Sequence, residues 1–135
     1  MTTLVWDENK FVLGVTEMDA AHREFVAETV AVAKASDDEF PALFNALAEH
    51  TRRHFEEEGA LMRAHRFSAT EEHEAEHRRI LAELDYLSRR VAGGRIAMAR
   101  AYVEGLPIWF ANHLATMDAA LAACVKAPAG PRAVH

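Results

Sequence analysis

The stretch from His54 to His77 constrains most strongly what this chain can fold into. It contains two motifs, His54-x-x-x-Glu58 and His73-x-x-x-His77. The second motif begins fifteen residues after Glu58. Residues four apart lie on the same face of an α-helix, so each pair places two metal-ligating side chains side by side. We therefore expect two consecutive helices, each of which contributes a pair of ligands to a site between them.

Apolar residues recur at helical spacing in four stretches of the chain, and residues that favour a helix start precede the first three. The predicted helices run from about Asp19 to Ala35, from the start signal Ser36-Asp-Asp-Glu39 to about His65, from Ser68-Ala-Thr-Glu71 to Gly93-Gly94, and from near Arg95 through Leu121. A capping box is expected at Thr16-x-x-Asp19. Short polar connections between amphipathic helices predict an all-α fold, an antiparallel up-down four-helix bundle.

The chain length of 135 residues is sufficient for one domain with one core. We expect this helical domain to cover residues 1–125, with residues 1–15 as an N-terminal arm and residues 126–135 as a disordered tail. Pro107 falls inside the pattern of the fourth helix, so a kink or a break is expected around Leu106.

The composition argues against several classes of function. A formal charge of −6 and a pI near 5.7 speak against binding to nucleic acid or to an anionic membrane surface. The single cysteine, Cys124, cannot form an internal disulfide. The N-terminus lacks the layout of a signal peptide, and the uncharged run from Gly105 to Met117 is shorter than the ~20 apolar residues of a membrane span. We expect a soluble, cytoplasmic protein.

Inward-facing metal donors occur on all four predicted helices. They are His22, His54, Glu58, His73, His77, His113 and Asp118. Seven ligands exceed what one ion needs, and they suit two ions bridged by the two carboxylates. Imidazoles and carboxylates without a thiolate favour iron, manganese or zinc. Without a metal, burying so many polar groups would be costly.

One spacing within this set does not fit a regular α-helix. His113 and Asp118 are five residues apart, which separates them by ~140° around a regular helix. Either Asp118 reaches across from the adjacent turn, or a local widening of the helix brings it round.

Two other metal motifs overlap with this set. His73-Glu-Ala-Glu-His77 matches the H-E-x-x-H signature of zinc proteases, with Glu74 as the general base, and Glu74-x-x-His77 resembles half of a ferritin-like di-iron site. Neither accounts for the ligands on the other helices, so we expect Glu74 to face solvent. His50, His65 and His135 are expected to be incidental.

Taken together, these motifs resemble the hemerythrin family, specifically its single-domain bacterial members. The resemblance covers almost the whole chain. Its motifs are Trp6-Asp7, Leu13-Gly14-Val15, Met18-Asp19-Ala-Ala-His22, His54-Phe55-Glu-Glu-Glu58 with Leu61-Met62, His73-x-x-x-His77, and Trp109-Phe110-Ala-Asn-His113-x-x-x-x-Asp118.

The resemblance implies a non-haem di-iron site that binds O2 reversibly. His73, His77 and His113 would hold one iron, and His22 and His54 the other, which keeps an open position. Glu58 and Asp118 would bridge the Fe2+/Fe3+ ions together with an oxo or hydroxo group. A dry wall around the O2 pocket is expected from Phe55, Leu61, Ile108, Trp109 and Leu114.

The expected role is storage, transport or buffering of dioxygen, without obligatory catalysis, and with an unidentified protein as recipient of O2 or of a signal. Two alternatives stay open at this point. One is an oxygen or redox sensor that acts through a separate partner, and the other is a di-iron peroxidase, oxidase or nitric oxide reductase.

Overall fold

A computed structural model of the chain describes residues 8–127, so Trp6, Asp7 and most of the expected tail lie outside the described residues. Every regular element in that range is helical. The elements are α1 (Glu8–Phe11), α2 (Thr16–Lys34), α3 (Phe40–Ala64), α4 (Thr70–Ala92), α5 (Ala97–His113), a π-helical turn (Leu114–Asp118) and α6 (Ala119–Lys126).

The long helices form the predicted four-helix bundle. Helix α2 packs against α3, α3 against α4, α4 against α5, and α5 against α2, which closes the ring. The connections between them are short, as expected for antiparallel neighbours. The fourth member of the bundle consists of α5, the π turn and α6, which follow one another without a gap from Ala97 to Lys126.

A polar start signal precedes α3, and a glycine follows α4. Ser36 and Glu39 form a reciprocal capping box, since the Ser36 hydroxyl accepts from the Glu39 amide and the Glu39 carboxylate accepts from the Ser36 amide, both at 3.2 Å. Gly94 ends the α4 region with a φ of 85°, a conformation that favours glycine.

The expected capping box at Thr16 is wrong. Thr16 is the first residue of α2, and Val15 precedes it without a side-chain cap. Asp19 instead turns back to the N-terminal arm, where its carboxylate accepts from the amides of Leu13 at 2.8 Å and Gly14 at 3.1 Å. Because Asp19 is itself buried, it fastens the arm to the bundle.

Pro107 does not break the fourth helix. Helix α5 continues through it from Ala97 to His113, so of the two outcomes expected around Leu106, a kink or a break, the break is wrong. The whole stretch Ala97–Lys126 is long and apolar enough, by length and composition alone, to cross a membrane. Core helices of soluble proteins pass the same test, and one face of this helix is buried in the bundle.

Two apolar clusters divide the core along the bundle axis. The larger contains Phe25, Phe55 and Leu114, and the smaller contains Met18, Met62 and Leu121. Three helices place a predicted ligand between the two clusters on the same stripe. The series are Phe25, His22 and Met18 on α2; Phe55, Glu58 and Met62 on α3; and Leu114, Asp118 and Leu121 on the fourth helix. The predicted ligands thus form a polar layer between two apolar layers.

Replacing Asp19 by alanine should destabilise the fold by about 1–3 kcal/mol, because it leaves two backbone amides without their acceptor. Urea denaturation followed by circular dichroism measures the change. The matched control is Asp38→Ala, which removes an exposed carboxylate and should change the free energy of unfolding by less than about 0.5 kcal/mol. Equal stabilities of the two variants would show that Asp19 does not anchor the arm.

Candidate metal centre

The structure brings all seven predicted ligands together in the middle of the bundle. Helix α2 supplies one, α3 two, α4 two, α5 one and the π turn one. Six of them are at most 5% exposed, and the seventh, His54, has a side chain that is 11% exposed. The set is His22, His54, Glu58, His73, His77, His113 and Asp118.

Helical spacing explains how the paired ligands reach the same point. On α3 the Nε2 atom of His54 lies 3.0 Å from an oxygen of Glu58, one turn later. On α4 His73 and His77 face the same way, with ring centroids 4.5 Å apart. These pairs need nothing beyond a regular α-helix whose apolar stripe faces the core.

The spacing of His113 and Asp118 is resolved by a local widening of the helix. Residues Leu114–Asp118 form a π turn, in which hydrogen bonds join residues five apart, so His113 and Asp118 stack on one face. The Nε2 atom of His113 lies 3.2 Å from Oδ1 of Asp118. In the same turn the Thr116 hydroxyl donates to the carbonyl of Asn112 at 2.6 Å, a bond that competes with regular helix hydrogen bonding.

Glu58 divides its two oxygens between two groups of histidines. Its Oε1 atom lies 3.3 Å from Nε2 of both His73 and His77. Its Oε2 atom lies 3.4 Å from Nε2 of His22 and 3.0 Å from Nε2 of His54. One carboxylate therefore faces a pair of imidazoles on each side.

Asp118 divides its oxygens in the same sense. Its Oδ1 atom lies 3.1 Å from Nε2 of His73 and 3.2 Å from Nε2 of His113, and its Oδ2 atom lies 3.1 Å from Nε2 of His22. The two carboxylates thus separate a group of three histidines from a group of two. The groups are His73, His77 and His113 on one side, and His22 and His54 on the other.

Most of these buried polar atoms make no hydrogen bond with the described residues, although they approach one another closely. They include both carboxylate oxygens of Glu58, Oδ1 of Asp118 and the Nε2 atoms of His22, His73, His77 and His113. Orphaned buried donors and acceptors are rare and costly. Metal ions between the imidazole nitrogens and the carboxylate oxygens would satisfy them, so the residues present fit a metal centre.

The charge balance within the cluster also favours cations. Burial lowers the pKa of His22 and His73, but Asp118 and Glu58 outweigh burial and raise both pKa values to about 9. Burial would raise the pKa of Glu58, but the neighbouring imidazoles, His54 first, hold it well below its usual range. Two carboxylates thus keep their negative charge in the core, where bound cations can replace the protons on the histidines.

Two aromatic rings stack on the imidazole rings of His77 and His113 and restrict their rotation. The Phe55 ring stacks on His77, with centroids 3.7 Å apart and planes within 2°. The Trp109 ring stacks on His113 at 4.7 Å and 16°, and its indole N–H donates to Glu76 at 2.7 Å. A ligand ring clamped in this way loses little rotational freedom when it binds a metal.

The structure corrects one of the five residues expected in the wall around the site. Phe55 and Leu114 are buried, Trp109 stacks on His113, and Leu61 is half-buried against the smaller apolar cluster. Ile108 is 65% exposed, so its side chain does not enclose the site.

Phe110, two residues after Ile108, is the wall residue that the sequence reasoning missed. Its ring is buried and meets the ring of His22 edge-on, with centroids 5.7 Å apart. The signal was present in the sequence, because Phe110 lies on the apolar stripe three residues before His113.

The geometry does not support the zinc-protease motif. Glu74 is half-buried between α3 and α4, where it pairs with Arg63 at 3.5 Å, outside the ligand cluster. His73 and His77 face Glu58 instead, together with ligands from the other helices.

Comparisons with known proteins agree with this geometry. The family model of the Hemerythrin HHE cation binding domain matches residues 13–125. A bacteriohemerythrin of Ralstonia nicotianae is 39% identical over 118 residues, which are 87% of this chain and 85% of that protein.

Solved structures of hemerythrin share the fold. The wild-type form is 19% identical and covers 93% of this chain and 100% of its own, with a TM-score of 0.85. A mutant form is 20% identical and covers 94% of this chain and 100% of its own, also with a TM-score of 0.85. From the family match and the bacterial relative together, we conclude that this chain belongs to the hemerythrin family.

Proposed function

We propose that the buried cluster holds two iron ions and binds O2 reversibly, so that the protein stores, carries or buffers dioxygen. The observation that carries this proposal is the division of both carboxylates between a three-histidine group and a two-histidine group. Membership of the hemerythrin family supports iron as the metal.

The unequal groups would give two bound ions different numbers of protein ligands. On the three-histidine side, His73, His77 and His113 join one oxygen from each carboxylate, which makes five protein donors. On the other side His22 and His54 join the remaining two oxygens, which makes four. The ion held by His22 and His54 would therefore have fewer protein ligands and would be the one that can accept O2.

The chemistry that reversible O2 binding needs from the metals is two electrons, one from each ferrous ion. The chain's own residues supply the dry surroundings. Phe55, Phe110 and Leu114 are buried, and Trp109 covers His113. An apolar wall of this kind restricts access of water and protons, which should slow irreversible oxidation of the iron.

We rank reversible binding above enzymatic turnover because the described residues place no extra proton donor in the cluster. Within residues 8–127, the carboxylates there are Glu58 and Asp118. Tyr86 is 48% exposed, and the Tyr102 hydroxyl donates to Glu83 instead. The sensor role, the cytoplasmic location and a protein recipient stay predictions.

Anaerobic reduction of iron-loaded protein, followed by admission of air, tests the proposal. We expect about two irons per chain, and a visible absorption band that appears with O2 and disappears when O2 is removed. Failure to retain iron, or a single irreversible oxidation in the first cycle, would contradict it. Steady turnover of peroxide or nitric oxide with a reductant would favour the enzymatic alternative instead.

Replacing His113 or His77 by alanine should remove at least one iron and lower the melting temperature. A metal that binds only the folded state stabilises that state by about 2.7 kcal/mol when the free metal concentration is one hundred times Kd. This contribution is lost when the metal no longer binds. Iron analysis and calorimetry of the variants measure both effects. The control is His65→Ala, whose half-exposed side chain lies outside the cluster and should keep full iron. Full occupancy in both ligand variants would refute the assignment.

Glu74→Gln and Glu58→Gln make the same chemical change at two sites with different expected results. The Glu74 variant should keep its iron and its O2 spectrum, because Glu74 pairs with Arg63 away from the cluster. The Glu58 variant should lose iron, because Glu58 faces four imidazoles. An iron-loaded Glu74 variant that no longer binds O2 would revive a role for Glu74 in the chemistry.

A further inference from the structure

A second group of metal-ligating side chains lies between α2 and α3, outside the buried centre. Glu24 and Glu28 are four residues apart on α2, so they share one face of that helix. His50 comes from the facing helix α3. One donor atom from each of the three residues lies within 4.8 Å of the other two. His50, which the sequence suggested was incidental, is therefore part of a convergent set.

The three side chains differ in their exposure and in the contacts that they make. His50 and Glu28 are in direct contact through Nδ1 and Oε2, and their side chains are 32% and 21% exposed. Glu24 is half exposed, and its other neighbour is Arg53, with Oε1 and a guanidinium nitrogen 3.8 Å apart. A pair at that distance and exposure contributes little, so Glu24 can exchange Arg53 for a cation at small cost.

We propose that Glu24, Glu28 and His50 form a second metal site that binds a zinc ion. One imidazole nitrogen and two carboxylate oxygens are ligands that zinc accepts, and three protein ligands leave the fourth tetrahedral position for water. The nitrogen ligand disfavours magnesium and calcium, which prefer oxygen donors only. The two carboxylates and the chain's net charge of −6 attract a divalent cation to this surface.

A simpler interpretation is that His50 and Glu28 only form a polar contact that joins the two helices. The two interpretations assign different roles to Glu24. In the simpler one, Glu24 is a solvated carboxylate, and its replacement changes nothing. In a zinc site, Glu24 is the third ligand, and its replacement weakens binding.

The test is a zinc titration of the full-length protein after the buried centre has been filled with metal. Bound zinc is counted by elemental analysis, and the affinity is measured by isothermal titration calorimetry. We expect the unmodified protein to bind one zinc more than His50→Ala, and Glu24→Gln to bind that zinc at least about tenfold more weakly. The control is His65→Ala, which should match the unmodified protein.

Three results would overturn the proposal. They are equal zinc counts in the unmodified protein and the His50 variant, unchanged affinity in Glu24→Gln, and an equal loss of zinc in the His65 control. Glu24 is exposed, so its replacement tests the site without threatening the fold. The difference of one equivalent does not depend on which metal fills the buried centre, so this proposal fails or succeeds separately from the proposed function.

Discussion

Two buried carboxylates surrounded by five imidazoles are the constraint on which the rest of the structure depends. Glu58 and Asp118 keep their charge in a core that is otherwise apolar above and below them. Such a group is tolerated only when cations or protons compensate it within about hydrogen-bonding distance. All four members of the bundle must therefore meet in this one layer, which fixes their rotation and their register along the axis.

The layer has three histidines on one side of the two carboxylates and two on the other, and this difference follows from the fold. A site with equal numbers of histidines on the two sides would give two equivalent ions. Here all four members of the bundle contribute histidines, and α4 contributes two of them to the same side, together with His113 from α5. The remaining side receives one histidine from α2 and one from α3. The difference in the number of histidines arises because the i, i+4 pair of α4 consists of two histidines, whereas the pair of α3 consists of one histidine and the shared Glu58.

Sequence reasoning selected the seven side chains that converge in the buried cluster because most of them continue apolar stripes at helical spacing. The same principle, applied less strictly, produced the error at Ile108. That residue was chosen for its apolar character, although residue 110 and not residue 108 shares the phase of Leu106 and His113. Asp19 was misjudged because a carboxylate near a helix start suggests a cap, whereas only the folded arm reveals its two amide partners.

The sequence predicted the π turn only as one of two ways to bring His113 and Asp118 to the same face of the helix. The other was that Asp118 reaches across from the adjacent turn. His113 and Asp118 both belong in the ligand layer, yet a regular helix cannot turn both toward it. The backbone is π-helical over Leu114–Asp118 and α-helical again from Ala119. The irregularity is therefore confined to the segment that joins the two candidate ligands. Pro107, which is the residue expected to distort this helix, lies in unbroken α-helix instead. The change from α-helical to π-helical hydrogen bonding therefore lies between the two candidate ligands and not at the proline.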